Sequence, residues 1–256
     1  STPKDKILDF PAHSMISFFE NHALLNRTGQ HQWFTVKGGS IQYVERLNRE
    51  LVDRNVALRL GDPIKEVKRG PLGVQISSQK SDFEYFDHVV FATHSDDTLK
   101  MLVDADQRES KALDAIKYQP NQAVLHHDEN VMPKSKNCWA SWVYTEDKKR
   151  SLGPIGLTYW MNSLQPIPEG DPMFVTLNSK NKIDPYKIYD EVTFRHPVYD
   201  LPALEAQKDL ADNNGHRNTW FCGAWMKNGF HEDGLASAMD VIDKFSDRIS
   251  VKIAAQ

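Results

Sequence analysis

A stretch near the carboxyl end of the chain decides the fold: Thr219-Trp220-Phe221-Cys222-Gly223-Ala224-Trp225, followed by the loop Gly229-Phe230-His231-Glu232-Asp233-Gly234. The first segment is mostly apolar, which is typical of a strand that is covered on both faces. The residues from Leu235 to Phe245 have helical spacing and predict a helix that begins after Gly234. A buried strand that leads through glycines into a helix indicates an α/β domain.

A second buried strand is predicted much earlier, at His88-Val89-Val90-Phe91-Ala92-Thr93-His94, where the middle is again continuously apolar. The sequence between the two strands is rich in short alternating segments, which are typical of β-structure. We therefore predict the class α/β (α+β mixed), in which one α/β domain is interrupted by a second, β-rich domain.

The remaining elements are predicted from periodicity. Alternation of apolar and polar residues predicts strands at Trp33–Val36, Val56–Leu60, Ile64–Arg69, Val74–Ser78, Gln122–Asp128, Cys138–Thr145, Ile155–Asn162, Met173–Leu177 and Tyr186–His196. Helical spacing predicts helices over Phe10–His22, from Ser40 (with Tyr43, Val44, Leu47 and Leu51 inward), from Ser95 through Leu102, and over Leu201–Leu210. Lys37-Gly38-Gly39 predicts a tight turn.

The composition excludes several classes of protein. The 256 residues are 40% hydrophobic and 26% charged, with a net charge of −4, so neither disorder nor a general attraction to nucleic acid or anionic lipid is indicated. Two distant cysteines, Cys138 and Cys222, indicate no disulfide scaffold. No apolar run approaches the ~20 residues of a membrane helix. The opening Ser1-Thr2-Pro3 is no signal peptide and has no Met, so we expect a cytoplasmic protein and a processed, tagged or excised chain.

Two parts of the chain resemble a known family. They are Thr35–Ser40 leading through a β-hairpin region to Asp87–Thr93, and Trp220–Trp225 leading to Leu235. Together they resemble the flavin-containing amine oxidase superfamily, and most closely its bacterial branch of NAD/FAD-binding oxidoreductases. Four further motifs match that branch: Phe18-Phe19-Glu20-Asn21-His22, Tyr118-Gln119-Pro120-Asn121, Tyr159-Trp160-Met161-Asn162 and Phe174-Val175-Thr176-Leu177-Asn178.

The resemblance implies FAD as the cofactor and a domain order. It assigns residues 1–34 to a helical cap, 35–104 and 216–256 to the remaining parts of an FAD-binding domain, and 105–215 to a substrate-binding domain with a mixed sheet. The implied cofactor-binding residues are Lys37, Gly38, Gly39, Ile64, Ala92, Thr93, Gly223, Ala224, Asp233, Gly234 and Leu235. Leu235 N–H would face the pyrimidine edge of the flavin, and Gly223 would lie beside the ribityl chain.

One expected feature is missing. Relatives cradle the FAD pyrophosphate on an N-terminal G-x-G-x-x-G loop, and this sequence contains none; Gly38-Gly39 is its only adjacent glycine pair. We interpret the chain as the C-terminal part of a longer flavoprotein. FAD binding by this chain alone is expected to be weak or absent, and the chain alone is expected to be inactive.

Three positions depart from the superfamily. Ala224 stands where an acidic residue usually meets the ribityl hydroxyls, although Glu232 or Asp233 could supply a carboxylate from the next loop. Gly234 stands where many amine oxidases have an aromatic residue. The usual substrate-domain lysine falls near Asn121 or Gln122. Amine oxidation is therefore less secure than flavin dependence, and no catalytic residue is assigned.

Several residues have simpler alternatives. Ile64 could meet adenine or be an ordinary hairpin residue, and Lys37-Gly38-Gly39 could approach the flavin or be only a turn. The strand tryptophans are interpreted as core rather than as a substrate channel. No metal site is predicted, because His126 and His127 are adjacent on a strand and point to opposite faces.

The leading hypothesis is an FAD-dependent oxidoreductase that oxidises a C–H or C–N bond of a small or lipid-like organic molecule. The alternative is a non-catalytic, degenerate binding module, suggested by Ala224 and the missing phosphate loop. A hydrolase is disfavoured because there is no G-x-S-x-G elbow. The expected partners are a small-molecule substrate and, through an exposed sheet edge, other copies of the chain.

Overall fold

The structure is a computed structural model that describes residue 8, residues 10–145 and residues 156–254, with side chains described up to residue 247. The predicted strand residue Ile155 and residues 1–7 and 9 of the predicted cap lie outside this part. The chain divides into two compact units. Of the described residues, the first contains Leu8, Phe19–Leu58 and Gln119–His196, and the second contains residues 10–18, Arg59–Tyr118 and Pro197 onward.

The elements are as follows. The helices are α1 (Ala12–Asn21), α2 (Ile41–Asp53), α3 (Ser95–Met101), α4 (Gln107–Ala115), α5 (Met161–Leu164), α6 (Leu201–Asn213) and α7 (His231–Ala254). The strands are β1 (Ile64–Gly70), β2 (Gly73–Ser78), β3 (Glu84–Phe86), β4 (Val89–Phe91), β5 (Lys117–His126), β6 (Trp142–Thr145), β7 (Gly156–Trp160), β8 (Phe174–Leu177), β9 (Ile188–Val198) and β10 (Thr219–Phe221).

The second unit contains two small sheets. Strands β1, β2 and β3 form an antiparallel meander, and β4 pairs with β10 in parallel. Gly73 opens β2 with φ +135°, and a Cβ there would lie 2.4 Å from the carbonyl oxygen of Phe86, so the strand contact requires glycine. Helices α4 and α6 belong to this unit and pack against each other. The core of the unit includes Val67, Phe91 and Leu210.

An ion-pair network is buried in the second unit. The guanidinium of Arg69, which is 5% exposed, donates to both carboxylate oxygens of Glu109 at 2.5 and 2.7 Å. It also donates from Nε to Asp104 Oδ1 at 3.1 Å. Glu109 completes a capping box with Asp106 at the start of α4. The network therefore connects strand β1 to helix α4.

The first unit contains a five-stranded sheet in the order β6-β7-β8-β5-β9. The β6–β7, β7–β8 and β8–β5 pairings are antiparallel. One face carries the cluster of Val124, Phe174 and their neighbours, with Trp139 and Trp160 partly buried against it. These two tryptophans pack on the core as expected, whereas Trp142 is 49% exposed.

Four sequence-based expectations about elements are wrong. Within the described ranges, Trp33–Val36 and Val56–Leu60 are not strands, because no neighbouring strand pairs with them. Cys138 lies in a 3₁₀ turn (Lys136–Cys138) before strand β6. The apolar residues of α2 do not point into a core, since the helix buries none of its residues.

Candidate functional site

The two predicted buried strands end side by side. Phe91 of β4 pairs with Phe221 of β10, and the Cys222 N–H donates to the Phe91 carbonyl at 2.9 Å. Since the strands are parallel, the residues that follow them, Ala92 and Thr93 on one side and Gly223 on the other, leave the same edge of the sheet. β4 is covered on one face only: Val89 and Phe91 are buried, but Val90 is 50% exposed, which corrects the expectation of burial on both faces.

The Trp225 side chain connects the segments that follow these two strands. Its indole Nε1 donates to the Thr93 carbonyl at 2.9 Å, and its own carbonyl accepts from Gln207 Nε2 at 2.8 Å. Gly223 has φ +137°, and a Cβ there would lie 2.8 Å from the Trp225 Nε1. The indole and the backbone angle therefore suffice to require glycine at position 223.

The same edge is tied to the start of helix α7. The Gly223 N–H donates to the Ser237 hydroxyl at 2.8 Å, and that hydroxyl donates to the Gly234 carbonyl at 2.8 Å. Gly234 also lies against Ala224: a Cβ built on it would be 3.8 Å from the Ala224 nitrogen. We call the group Ala92, Thr93, Gly223, Ala224 and Gly234 the strand-end site.

Helix α7 begins earlier than predicted. It starts at His231 instead of Leu235, because the Asp233 carboxylate accepts from the Phe230 N–H at 2.9 Å and caps the first turn. Gly234 N–H donates to the Phe230 carbonyl at 3.3 Å, and Leu235 is the fifth helical residue, whose N–H falls within the i to i−4 ladder. The helical N–H groups that lack such an acceptor are therefore those of residues 231–233, not that of Leu235.

The other predicted residues belong to other elements of the fold. Lys37, Gly38 and Gly39 belong to the first unit and form the predicted turn, in which the Gly39 N–H donates to the Val36 carbonyl at 2.9 Å. Ile64 opens β1 in the three-stranded sheet of the second unit. The structure thus brings Ala92, Thr93, Gly223, Ala224, Asp233, Gly234 and Leu235 together on adjoining segments.

Two buried ionisable groups border the strand-end site. Burial raises the pKa of the Tyr199 phenol far above its ordinary value, and the nearby Asp233 carboxylate adds to the rise. Burial also raises the pKa of the Cys222 thiol. Both side chains therefore remain protonated at neutral pH, and Cys222 is not an activated nucleophile. The sequence analysis did not single out Tyr199, whose hydroxyl would be 2.5 Å from a Cβ at Gly229.

One group of possible metal ligands was not predicted. Ligand atoms of His94, Asp96 and Asp97 lie within 4.8 Å of one another after β4. The Lys100 ammonium is 3.0 Å from Asp97 Oδ1 and 3.7 Å from Asp96 Oδ2. The positive charge of Lys100 therefore already offsets the negative charge of the Asp96 and Asp97 carboxylates, as a bound cation would.

These features define an α/β protein with a candidate ligand site at the carboxyl edge of a parallel strand pair. A sequence profile of the family described as flavin containing amine oxidoreductase matches residues 6–159, more than half of the chain. The chain belongs to this family. In the described part of the chain, each helix is too short or too polar to span a bilayer.

Three solved structures share the fold. A CLA-producing fatty acid isomerase from P. acnes aligns with a TM-score of 0.52 and 18% identity over 72% of this chain and 47% of its own. A reduced UDP-galactopyranose mutase aligns with a TM-score of 0.54 and 13% identity over 77% of this chain and 49% of its own. A redesigned putrescine oxidase aligns with a TM-score of 0.51 and 12% identity over 81% of this chain and 53% of its own. The chain spans about half the length of these proteins. No curated protein matches it by sequence.

The residues present fit part of FAD, the cofactor that the family implies. Ala92 and Thr93 are exposed, so a flat ring can reach the edge of the strand pair there, and the start of α7 supplies the positive end of a helix dipole. The backbone groups of Gly223 are already used: its N–H donates to the Ser237 hydroxyl, and its carbonyl accepts from the Met226 N–H at 3.0 Å. Glu232 and Asp233, however, put two carboxylates in that first turn. The sequence also lacks a G-x-G-x-x-G loop. The strand-end site therefore fits the ring and not the pyrophosphate.

Proposed function

We propose that the protein containing this chain is an FAD-dependent oxidoreductase that oxidises a C–H or C–N bond of a small or lipid-like organic molecule. The observation that carries this proposal is the strand-end site, in which the ends of β4 and β10 and the start of α7 are joined by hydrogen bonds. Family membership supports the same assignment.

Bound FAD would supply the two-electron acceptor for such an oxidation. The residues of this chain would supply a rigid backbone surface for the ring: Trp225 holds the Thr93 carbonyl, and Ser237 bridges Gly223 and Gly234. Rigidity matters because a reaction between two bound molecules requires them to be held at a fixed distance and angle.

The proposed substrate is apolar instead of highly charged. The sheet of the first unit exposes aromatic side chains: Trp142, Tyr144 and Phe194 are 49%, 46% and 53% exposed. Such side chains bind apolar molecules by burying their surface from water. Amine oxidation is the less favoured reaction, since Asn121 or Gln122 stands at the family lysine position and Gly234 at the aromatic one.

The test uses the complete protein from the reading frame that encodes this chain. Purified protein is examined for flavin absorbance, and the flavin is then exposed without oxygen to fatty acids, alcohols and amines. We expect bound FAD whose oxidised absorbance is lost on addition of an apolar substrate. Complete protein that neither contains nor takes up flavin would contradict the proposal.

The second candidate is a non-catalytic binding module. Ala224 favours it, because this residue offers no carboxylate to the ribityl hydroxyls. If the complete protein binds an apolar ligand but no flavin, the binding module is the correct assignment.

A further inference from the structure

A small cavity lies beside strands β7 and β8 of the first unit. Its lining includes the buried residues Gly156, Thr158 and Thr176 and the exposed residue Lys180. The free volume, including the open mouth, is about 200 Å³. Thr158 and Thr176 pair directly across the two strands. The proposed reaction gives this cavity no role.

A buried histidine donates a hydrogen bond to one of the two threonines. His126 is fully buried, and its Nδ1 accepts from the Asp128 N–H at 3.1 Å. A backbone N–H can only donate, so the neutral imidazole carries its hydrogen on Nε2. Nε2 lies 2.8 Å from Thr176 Oγ1 and donates to it. Burial lowers the pKa of His126, which keeps the ring neutral at pH 7.

The two threonine hydroxyls have more hydrogens than acceptors. Thr158 Oγ1 lies 2.9 Å from Thr176 Oγ1, and each hydroxyl carries one hydrogen. One of these hydrogens forms the bond between the two oxygens. The other finds no acceptor among the residues that the structure describes. Both side chains are almost fully buried, so an unpaired hydrogen here costs free energy unless a bound molecule accepts it.

The histidine determines which threonine keeps the unpaired hydrogen. Hydrogen bonds in a chain polarise one another, so a hydroxyl that accepts a bond becomes a stronger donor. Thr176 accepts from His126 and therefore donates to Thr158 Oγ1. The hydrogen of Thr158 is then left for the cavity that this residue lines. The cavity thus offers a buried hydrogen-bond donor to a ligand.

The mouth of the cavity carries a positive charge. Lys180 is exposed and is the one charged residue among those that line the cavity. A Cβ at Gly156 would lie 3.2 Å from Lys180 Cγ, so glycine leaves room for the lysine side chain beside β7. A buried donor and a cation at the mouth favour an acceptor with negative charge, because hydrogen bonds to ionised acceptors are the stronger ones.

We propose that this cavity binds a small carboxylate, with one oxygen accepting from the Thr158 hydroxyl and with the Lys180 ammonium offsetting the charge at the mouth. The volume is below the roughly 300–1,000 Å³ of sites for drug-sized molecules, so the ligand is an acid of a few carbon atoms. The inference goes beyond the proposed function, since it concerns a site in the first unit that uses no flavin.

Binding is tested by NMR on the purified chain labelled at threonine methyl groups, which is titrated with formate and with acetate at constant ionic strength. The signals of Thr158 and Thr176 should shift in a saturable way, whereas that of Thr219, buried in the second unit, should not respond. Acetamide has the shape of acetate without its charge and should bind at least about fivefold more weakly. If neither acid gives a saturable shift, the cavity holds water only and the proposal is wrong.

Thr158→Val tests the donor. Valine keeps the branched shape and removes the hydroxyl, so the affinity for acetate, followed at the Thr176 methyl, should fall at least about fivefold. Thr158→Ser keeps the hydroxyl and should bind acetate within about threefold of the original chain, which separates the hydrogen bond from packing. Unchanged affinity in Thr158→Val, or an equal loss in both variants, would overturn the proposal.

Lys180→Gln tests the charge at the mouth. The affinity for acetate should fall about two- to fivefold, the effect expected of an exposed charge, and that for acetamide should not change. Lys182→Gln makes the same change at an exposed residue outside the lining and should bind acetate as the original chain does. Equal losses in the two variants would show a general attraction of anions and would contradict the assignment of Lys180. The measurement involves no redox step, so absence of flavin chemistry in the complete protein would leave its result unaffected.

Discussion

At the scale of single residues, the two glycines of the strand-end site differ in how strongly the structure requires a glycine. Gly223 needs its left-handed backbone angle and the space beside Trp225, whereas Gly234 is a helical residue with only ordinary contacts. Gly223→Ala should therefore lower the free energy of unfolding by about 1–3 kcal/mol. Urea unfolding monitored by tryptophan fluorescence measures this change.

Gly234→Ala is the matched substitution. Alanine in a helix loses less backbone entropy than glycine does, so this variant should be as stable as the original chain or more stable, by up to about 1 kcal/mol. A larger loss at Gly234 than at Gly223 would show that the backbone at α7 is held differently from the structure. Whether Gly234 allows the flavin to approach the backbone is a separate question, which is measured by the flavin content of the Gly234→Ala variant of the complete protein.

His126 gives a pH dependence. Burial lowers its pKa, His127 lowers it further, and the Asp128 carboxylate opposes both. Its Nδ1 accepts from the Asp128 N–H at 3.1 Å, so Nε2 carries the hydrogen and donates to Thr176 Oγ1 at 2.8 Å. Below the unfolded pKa of about 6.5 the unfolded chain takes up a proton that the folded chain refuses, so stability is lost as pH falls.

The expected slope for this one histidine approaches about 1.4 kcal/mol per pH unit below pH 6.5. His126→Gln should remove that part of the slope, measured by urea unfolding between about pH 4 and 7.5. His13→Gln, at an exposed residue, is the control and should keep the full slope. An identical slope in His126→Gln would mean that His126 is not held neutral by the fold.

Residue patterns predicted the strand ends better than the helix start. The apolar runs around Val89 and Trp220 were long enough to identify two strands whose ends meet, because burial itself leaves that pattern. The start of α7 depends on the Asp233 carboxylate reaching back to the Phe230 N–H, a contact that residue types alone do not reveal. The contact between Asn121 and His196 joins residues 75 positions apart and leaves no local signal.

At the scale of elements, the buried pair Arg69–Glu109 holds β1 against α4. Both side chains are almost fully buried, so removing the Glu109 charge leaves the Arg69 guanidinium in a poorly solvated place with the Asp104 carboxylate as its remaining ion-pair partner. Glu109→Gln should therefore cost about 3 kcal/mol, at the lower end of the range for a broken buried pair, measured as the shift in urea midpoint. The exposed pair Arg108–Asp209, at 3.5 Å, is the control, and Arg108→Ala should change stability by no more than about 1 kcal/mol. Equal effects in both variants would contradict the burial argument.

Element prediction succeeded where strands have partners. The hairpin of β1 and β2 was predicted from alternation and its two turns, and the structure pairs Val67 with Ile76 and Arg69 with Val74. Val56–Leu60 has the same alternation, but no strand pairs with it in the described part of the chain. Alternation of apolar and polar residues indicates that a segment can join a sheet. Whether it does so depends on a partner strand that is distant in sequence.

At the scale of the whole molecule, several apolar faces remain uncovered. Ile41, Val44 and Leu47 of α2 are 55%, 46% and 55% exposed, and Leu235, Met239 and Ile242 of α7 are also exposed. Clusters of this kind favour association between copies. We expect the purified chain to self-associate with increasing concentration, as measured by sedimentation velocity, and Leu47→Lys with Leu235→Lys to reduce this. A chain that stays monomeric at high concentration would contradict the expectation.

The purified chain should also be colourless. FAD carries two phosphates, whose removal from water requires fixed N–H partners, and the sequence has no Gly-rich loop to provide them. In the proposed function the strand-end site would meet only the ring, and the carboxylates of Glu232 and Asp233 at the start of α7 would repel a phosphate. The loss of three charge-assisted hydrogen bonds at about 1.5–3 kcal/mol each lowers affinity by at least ~1000-fold. Visible absorbance after gel filtration, followed by titration with added FAD, measures this. Stoichiometric yellow colour that persists through gel filtration would mean that other residues of this chain bind the phosphates.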